Sequence, residues 1–159
     1  MDVNKLWQNF ADTVQNHYLD FEGRVGRSQF WYYVLVNIVV GILVDIVAGL
    51  TGLGLLRTIY SLGLLLPSLG ITARRLHDVG KPTSWIYLLA IPFLLEILLG
   101  IVAAGGMFFA GPLLLFANFV MLINLLVLVA VIAIIYFCAQ PGIDGPNEYG
   151  PPPPVFTPN

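Results

Sequence analysis

The residues with chemistry to offer are few and lie close together. His77 stands beside Asp78 in the run Ala73-Arg74-Arg75-Leu76-His77-Asp78-Val79-Gly80-Lys81, and a histidine held by a carboxylate is the pairing that general-base catalysis uses. Adjacent residues point apart on a helix, however, so the sequence alone does not make them a dyad. No nucleophile accompanies them: Ser28 and Ser84 sit in no recognisable elbow, and Cys138 has no basic neighbour in sequence. The expectation is no catalytic residue and no enzyme. Metal binding fares no better, because His17, His77 and Cys138 are far apart and in no ligand spacing. The stretch Asp144-Gly145-Pro146-Asn147-Glu148 lacks the spaced oxygens of a calcium loop. No metal and no cofactor is expected.

The arginines offer a different chemistry. Arg74 and Arg75, with Arg24 and Arg27 in Phe21-Glu22-Gly23-Arg24-Val25-Gly26-Arg27, suit phosphate oxygens, since guanidinium pairs with them bidentately and a cytoplasmic leaflet is anionic. The plainer alternative is that they anchor topology and pair with Asp78, Glu22 or Asp144. A third arrangement is a hydrogen-bonded lock of His77, Asp78 and Arg74 between the middle loop and the tail, with Asn147 and Tyr149 as partners. Two further acids, Asp45 and Glu96, fall inside apolar segments, where a charge costs about 3 kcal/mol or more. Arg57 is placed to reach Asp45, which reads as structural. Glu96 has no basic residue at its level; it either bonds Asn124 within the bundle or serves proton or cation movement.

The elements that must position these groups follow from composition. Of 159 residues, 58% are hydrophobic and 10% charged, with a mean hydropathy of +0.85; a soluble domain would carry roughly 25% charged residues. Such a chain cannot cover a water-facing surface, which excludes an ordinary cytosolic enzyme, a disordered tail and a disulfide scaffold. With 7 basic residues and a net charge of −2 it has no face for nucleic acid. Four segments match the roughly 20 apolar residues that cross a bilayer core: Phe30–Leu50, the shorter Thr58–Ala73, Trp85–Ala104 and Leu113–Phe137. Pro67 removes one backbone hydrogen bond that lipid cannot replace, so that side of its helix should face protein. Gly105, Gly106, Gly111 and Pro112 are read as the turn between the last two spans.

Before the spans, Val3, Leu6, Trp7, Phe10, Val14, Tyr18 and Phe21 recur at spacings of three or four. That stripe predicts an amphipathic helix on the inner membrane surface with Trp7 and Phe10 dipped into it, or a helix packed on the protein's own loops. Six basic residues, Lys5, Arg24, Arg27, Arg74, Arg75 and Lys81, flank one side of the spans and only Arg57 the other, which predicts both termini in the cytoplasm. No cleavable signal peptide is expected.

Three stretches on that cytoplasmic side resemble a known family. Phe21-Glu22-Gly23-Arg24-Val25-Gly26-Arg27-Ser28-Gln29-Phe30-Trp31, the loop Arg74-Arg75-Leu76-His77-Asp78-Val79-Gly80 and the tail from Pro141 to Pro153 are similar to the motifs of the bacterial inner-membrane family called domain of unknown function 805, the YhaH-like proteins. One departure is Lys81-Pro82-Thr83-Ser84-Trp85, where the family usually reads Gly-Trp. The resemblance implies a small multi-spanning inner-membrane protein and no known reaction.

The resulting expectation is an all-α polytopic membrane protein: residues 1–29 an amphipathic helix and basic motif, 30–139 four transmembrane helices, and 140–159 a Pro/Gly-rich cytoplasmic tail. Its role is expected to be that of an interaction or accessory protein. Arg24, Arg27, Arg74, Arg75, His77, Asp78, Asn147 and Tyr149 would meet lipid head groups or a partner, either another membrane protein or a second copy. A small transporter or channel using Glu96 and Asp45 is the second class, and a membrane enzyme acting on lipid phosphate through His77 the third. Thiol labelling tests the topology: Lys81→Cys and Gly106→Cys should react from opposite sides of the membrane, and labelling from the same side refutes the four-span order.

Overall fold

A computed structural model describes residues 3–104 and 110–154, with side chains described except at 93, 96, 100–104 and 110–117. The order is α1 (Val3–Asn16), α2 (Arg27–Thr51), α3 (Gly54–Asp78), a 3-10 turn (Thr83–Ile86), α4 (Tyr87–Ala104) and α5 (Ala110–Ala139). Among the described residues the only extended pairing is an isolated bridge between Asn147 and Gly150. By length and composition three helices are suited to crossing a membrane: α2, α3 and the Asn118–Ala139 part of α5. At 1.5 Å per residue the 25 residues of α2 extend about 37 Å, more than a bilayer core of about 30 Å. The chain divides into two compact units, Met1–Thr83 with Cys138–Asn159, and Ser84–Phe137.

In the first unit α2 and α3 form a hairpin. Gly52 closes α2 in the left-handed region at φ 71°, a conformation a Cβ would strain, and the chain re-enters a helix at Gly54. Apolar side chains alone would leave the seam of two such helices sliding; three polar contacts set its register. Arg57 Nε lies 3.3 Å from Asp45 Oδ1 near the turn. Further along, Tyr60 donates its hydroxyl to Asn37 Oδ1 at 2.6 Å, and Tyr33 and Ser68 share a hydroxyl contact of 2.8 Å. In an apolar surrounding such pairs satisfy groups that would otherwise be orphaned.

Helix α1 packs on this hairpin through one side of its apolar stripe together with a polar row beside it. Leu6, Asn9, Phe10 and Thr13 are buried, while Val3 and Trp7 are exposed. Two polar residues enter this face because their donors are satisfied there: Asn9 Nδ2 donates to the Gln29 carbonyl at 2.8 Å and Thr13 Oγ1 to the Asn9 carbonyl at 2.9 Å. Phe10 is buried and covered by the Tyr33 ring, with centroids 5.4 Å apart, so it packs on protein. The helix also ends at Asn16, which releases Tyr18 and Phe21 from the stripe.

Tyr18 has a specific task. Pro67, buried within α3, has no N–H for the carbonyl four residues earlier, that of Gly63. The Tyr18 hydroxyl donates to that carbonyl at 2.6 Å. The same loop then passes so close to α3 that a Cβ on Gly70 would lie 2.8 Å from the Asp20 carbonyl oxygen. Protein thus supplies what lipid cannot at the proline, as its position demands.

The second unit consists of the 3-10 turn from Ser84, α4 and α5 up to Phe137. Trp85 meets Phe137 edge-on with centroids 4.9 Å apart. An apolar cleft of about 490 Å³ opens between Leu88, Ile91 and Pro92 on α4 and Leu126, Val129 and Ala133 on α5. Two sequence expectations need correcting here. The third apolar segment opens as a 3-10 turn over Thr83–Ile86, and Gly111 and Pro112 do not break the last helix but lie in its first turn. There the missing proline N–H would have had no intrahelical acceptor in any case. Gly105 and Gly106 lie outside the described residues.

The Tyr18–Gly63 bond gives a double-mutant test. Tyr18→Phe should lower the unfolding free energy of the detergent-solubilised chain by about 1 kcal/mol. In a Pro67→Ala background the restored N–H serves Gly63, and the same substitution should cost close to nothing. Equal losses in both backgrounds would refute the assignment.

Candidate functional site

The polar layer is assembled on the last turns of α3, where Ile71 through Asp78 are all buried. The helix closes as a Schellman motif: Lys81 N–H donates to the Leu76 carbonyl at 2.8 Å and Gly80 N–H to the His77 carbonyl at 3.0 Å, with Gly80 at φ 70°. Two other chain segments lie against this end. The stretch before α2 docks by Val25 N–H to the Arg74 carbonyl at 3.1 Å, and the stretch after α5 by Ile143 N–H to the Asp78 carbonyl at 2.8 Å.

At the centre two arginines share one carboxylate. Asp78 Oδ1 accepts from Arg24 Nε at 3.0 Å and from Arg24 Nη2 at 2.8 Å, while Oδ2 accepts from Arg75 Nη1. The three side chains are at most 4% exposed. One carboxylate cannot neutralise two cations, and the excess positive charge is taken up by backbone carbonyls. Arg24 donates to those of Ile143 at 2.6 Å, Gly145 at 2.7 Å and Gly150 at 3.4 Å. Arg75 donates to those of Cys138 at 3.0 Å, Gln140 and Val25. Cys138 lies in the last turn of α5, where carbonyls lack intrahelical donors and the helix dipole is negative, so Arg75 caps that helix. The tail approaches so closely that a Cβ on Gly142 would collide with the Asp78 carboxylate.

His77 faces away from Asp78, as adjacent helical residues do. Its Nδ1 points at the Gly23 carbonyl at 3.0 Å, an acceptor only, so this nitrogen carries a proton. In the neutral ring Nε2 therefore accepts from the Thr83 hydroxyl at 2.7 Å. Tyr149 stacks on the imidazole with centroids 3.9 Å and planes 2° apart. Asn147 Nδ2 reaches the His77 carbonyl at 2.9 Å, and its Oδ1 accepts from Tyr149 N–H at 2.9 Å. Both ring nitrogens and one ring face are occupied by the protein itself, an arrangement suited to fastening the tail.

The remaining sequence candidates separate from this cluster. Arg74 turns the other way: its Nη1 lies 3.4 Å from Asp20 Oδ2, and its buried Nε has no partner among the described residues. Burial pushes the Asp20 carboxyl up, but the hydrogen bond from His17, the Arg74 charge and the Glu22 N–H outweigh it and hold the group below the usual carboxylate range. The acids bonded to Arg75 and Arg74 are thus Asp78 and Asp20, in place of the Glu22 and Asp144 also considered. Arg27 remains exposed on the first turn of α2. In the other unit Asn124 donates to the Val120 carbonyl of its own helix at 3.0 Å, and the Glu96 side chain lies outside the described residues. A reading by residue type misses Gly142 and Tyr18; the signals available were a glycine beside the Pro/Gly-rich tail and a proline whose freed carbonyl needs a donor.

Removing the shared anion should be severe. Asp78→Ala leaves two buried guanidinium groups without their carboxylate, and the expected loss is about 3–5 kcal/mol in unfolding free energy, with protease cleavage within 140–150 appearing well before global unfolding. Unchanged stability and a protected tail would show that the cluster does not hold the fold.

Comparison with known proteins places this arrangement among membrane proteins without a described activity. The chain is 34% identical over 84 residues to inner membrane protein YhaI of Escherichia coli (strain K12), covering 52% of this chain and 71% of YhaI. It is 33% identical over 87 residues to inner membrane protein YhaH of the same strain, covering 51% and 72%. To the uncharacterized protein YiiR it is 30% identical over 84 residues, covering 52% and 58%. No solved structure matches the chain. The family model described as protein of unknown function matches residues 18–151, a span that begins at the tyrosine serving Gly63 and ends just past the tyrosine stacked on His77; the chain belongs to that family, DUF805.

Proposed function

We propose that this chain is a four-span inner-membrane protein with both termini in the cytoplasm, and that it acts as a non-enzymatic accessory protein presenting a pre-ordered platform to a protein partner. The observation that carries this reading is the saturation of Arg24, Arg75, His77 and Asp78 by one another and by backbone carbonyls. Groups so bonded and buried offer no free donor to a lipid phosphate and no free base to a substrate. Their product is a shape: the segment before α2 and the tail over residues 140–150 are held as one layer around the end of α3. Four spans follow if α4, apolar throughout its 18 residues apart from Glu96, crosses with the other three, and an even number returns the tail to the side of the basic residues.

Lipid contact in this reading falls to the periphery. Exposed Val3 and Trp7 on α1 suit the membrane interface, and exposed Arg27 suits a head group. The platform itself is tested by a photo-crosslinking amino acid introduced in place of Glu22 or Arg27, both exposed, in the full chain in native membranes. The expected result is a discrete protein adduct. Adducts to lipid alone would put head-group binding in its place, and the absence of any adduct would overturn the platform reading.

A further inference from the structure

Four prolines, Pro151 to Pro154, follow directly on Gly150. A proline locks its own φ and disfavours helical ψ in the residue before it, so a run of four favours the left-handed polyproline II helix, three residues per turn and without internal hydrogen bonds. The start of this run is fixed to the platform. Gly150 and Asn147 exchange N–H to carbonyl bonds of 3.0 Å, Arg24 Nη1 reaches the Gly150 carbonyl, and Tyr149 is stacked on His77.

Its orientation is fixed too. Pro153 is half-buried beside Gly26, where an added Cβ would lie 3.8 Å from Pro153 Cγ, whereas Pro151, Pro152 and Pro154 are exposed. With three residues per turn, Pro151 and Pro154 share one edge and Pro153 lies on another. The edge carrying prolines at i and i+3 is therefore turned outward.

We infer that Pro151–Pro154 is a docking segment for a partner protein with an aromatic-lined groove that reads polyproline II. This deepens the platform reading, on which it rests, by naming the partner's chemistry. Such grooves take paired prolines between aromatic rings and donate to the unbonded carbonyls. A flexible peptide spends part of its binding energy on ordering, a cost this anchored, proline-stiffened segment has already met in folding. Asp144 and Glu148, exposed on the same tail, suit a groove with a basic rim and disfavour an anionic lipid surface.

The test is a photo-crosslinking amino acid in place of Glu148 in the full chain in native membranes, run beside the Arg27 probe. The expected result is a protein adduct whose crosslinked peptide lies beside clustered Trp or Tyr residues. Its yield should fall about tenfold or more with Pro151→Ala and Pro154→Ala together, and by less than about twofold with Pro152→Ala, on another edge, at an unchanged unfolding midpoint. An adduct from Arg27 but none from Glu148, or one insensitive to the paired substitution, overturns the inference and leaves the platform standing. An adduct from Glu148 to lipid or to a second copy of the chain also overturns it. Silence from both probes overturns both.

Discussion

Asp78 is the point on which the polar layer at the end of α3 turns. Its two oxygens hold Arg24 and Arg75 away from water, and those arginines bind in turn the segments before α2 and after α5. Burying charge is expensive, and an isolated pair gains little by it. Here the cost is offset because nearly every guanidinium hydrogen meets the Asp78 carboxylate or a backbone carbonyl, most of those carbonyls at the end of α5 or along a tail with little secondary structure of its own. The ionic cluster and the tail backbone satisfy each other, and neither would be stable in that place alone.

The close approaches around this centre follow from the same economy. A carboxylate with two guanidinium partners leaves no room for a side chain on the tail, hence glycine at 142; the turn out of α3 requires φ 70°, hence glycine at 80. Along α3 the backbone defect of Pro67 is met by a hydroxyl from a distant loop rather than by water. That last device satisfies a polar backbone group within an apolar helix, the constraint that governs helices in lipid.

The division of labour among the charged residues bears on how polar clusters at membrane surfaces are interpreted. Arg24, Arg75, His77 and Asp78 look functional by type and proximity, yet their bonds point inward. The groups left exposed are ones unremarkable in a sequence: Glu22 and Arg27, the acids of the tail and most of a run of prolines held at its start. Rigid fastening underneath and exposed, stiff backbone on top are what the proposed platform requires.

Much of the architecture was legible in the chain because hydrophobicity is additive and local. Charge-free runs, their lengths and their aromatic edges mark apolar helices without knowledge of any contact, and Pro67 announced a carbonyl in need of protein. Asp45 and Arg57 could be matched because a short turn joins their helices. The cluster could be anticipated as a cluster but not wired: Arg24 meets Asp78 across 54 residues and the tail carbonyls across about 120, and Arg74 and Arg75, adjacent in sequence, point to different acids. The buried face of α1 was likewise undecided, since Asn9 and Thr13 enter a core only where particular carbonyls await them. Composition determined the solvent this protein prefers. Which polar group is spent on the fold and which is left exposed was decided by tertiary structure, because a hydrogen bond depends on positions within a fraction of an ångström, which no local pattern encodes.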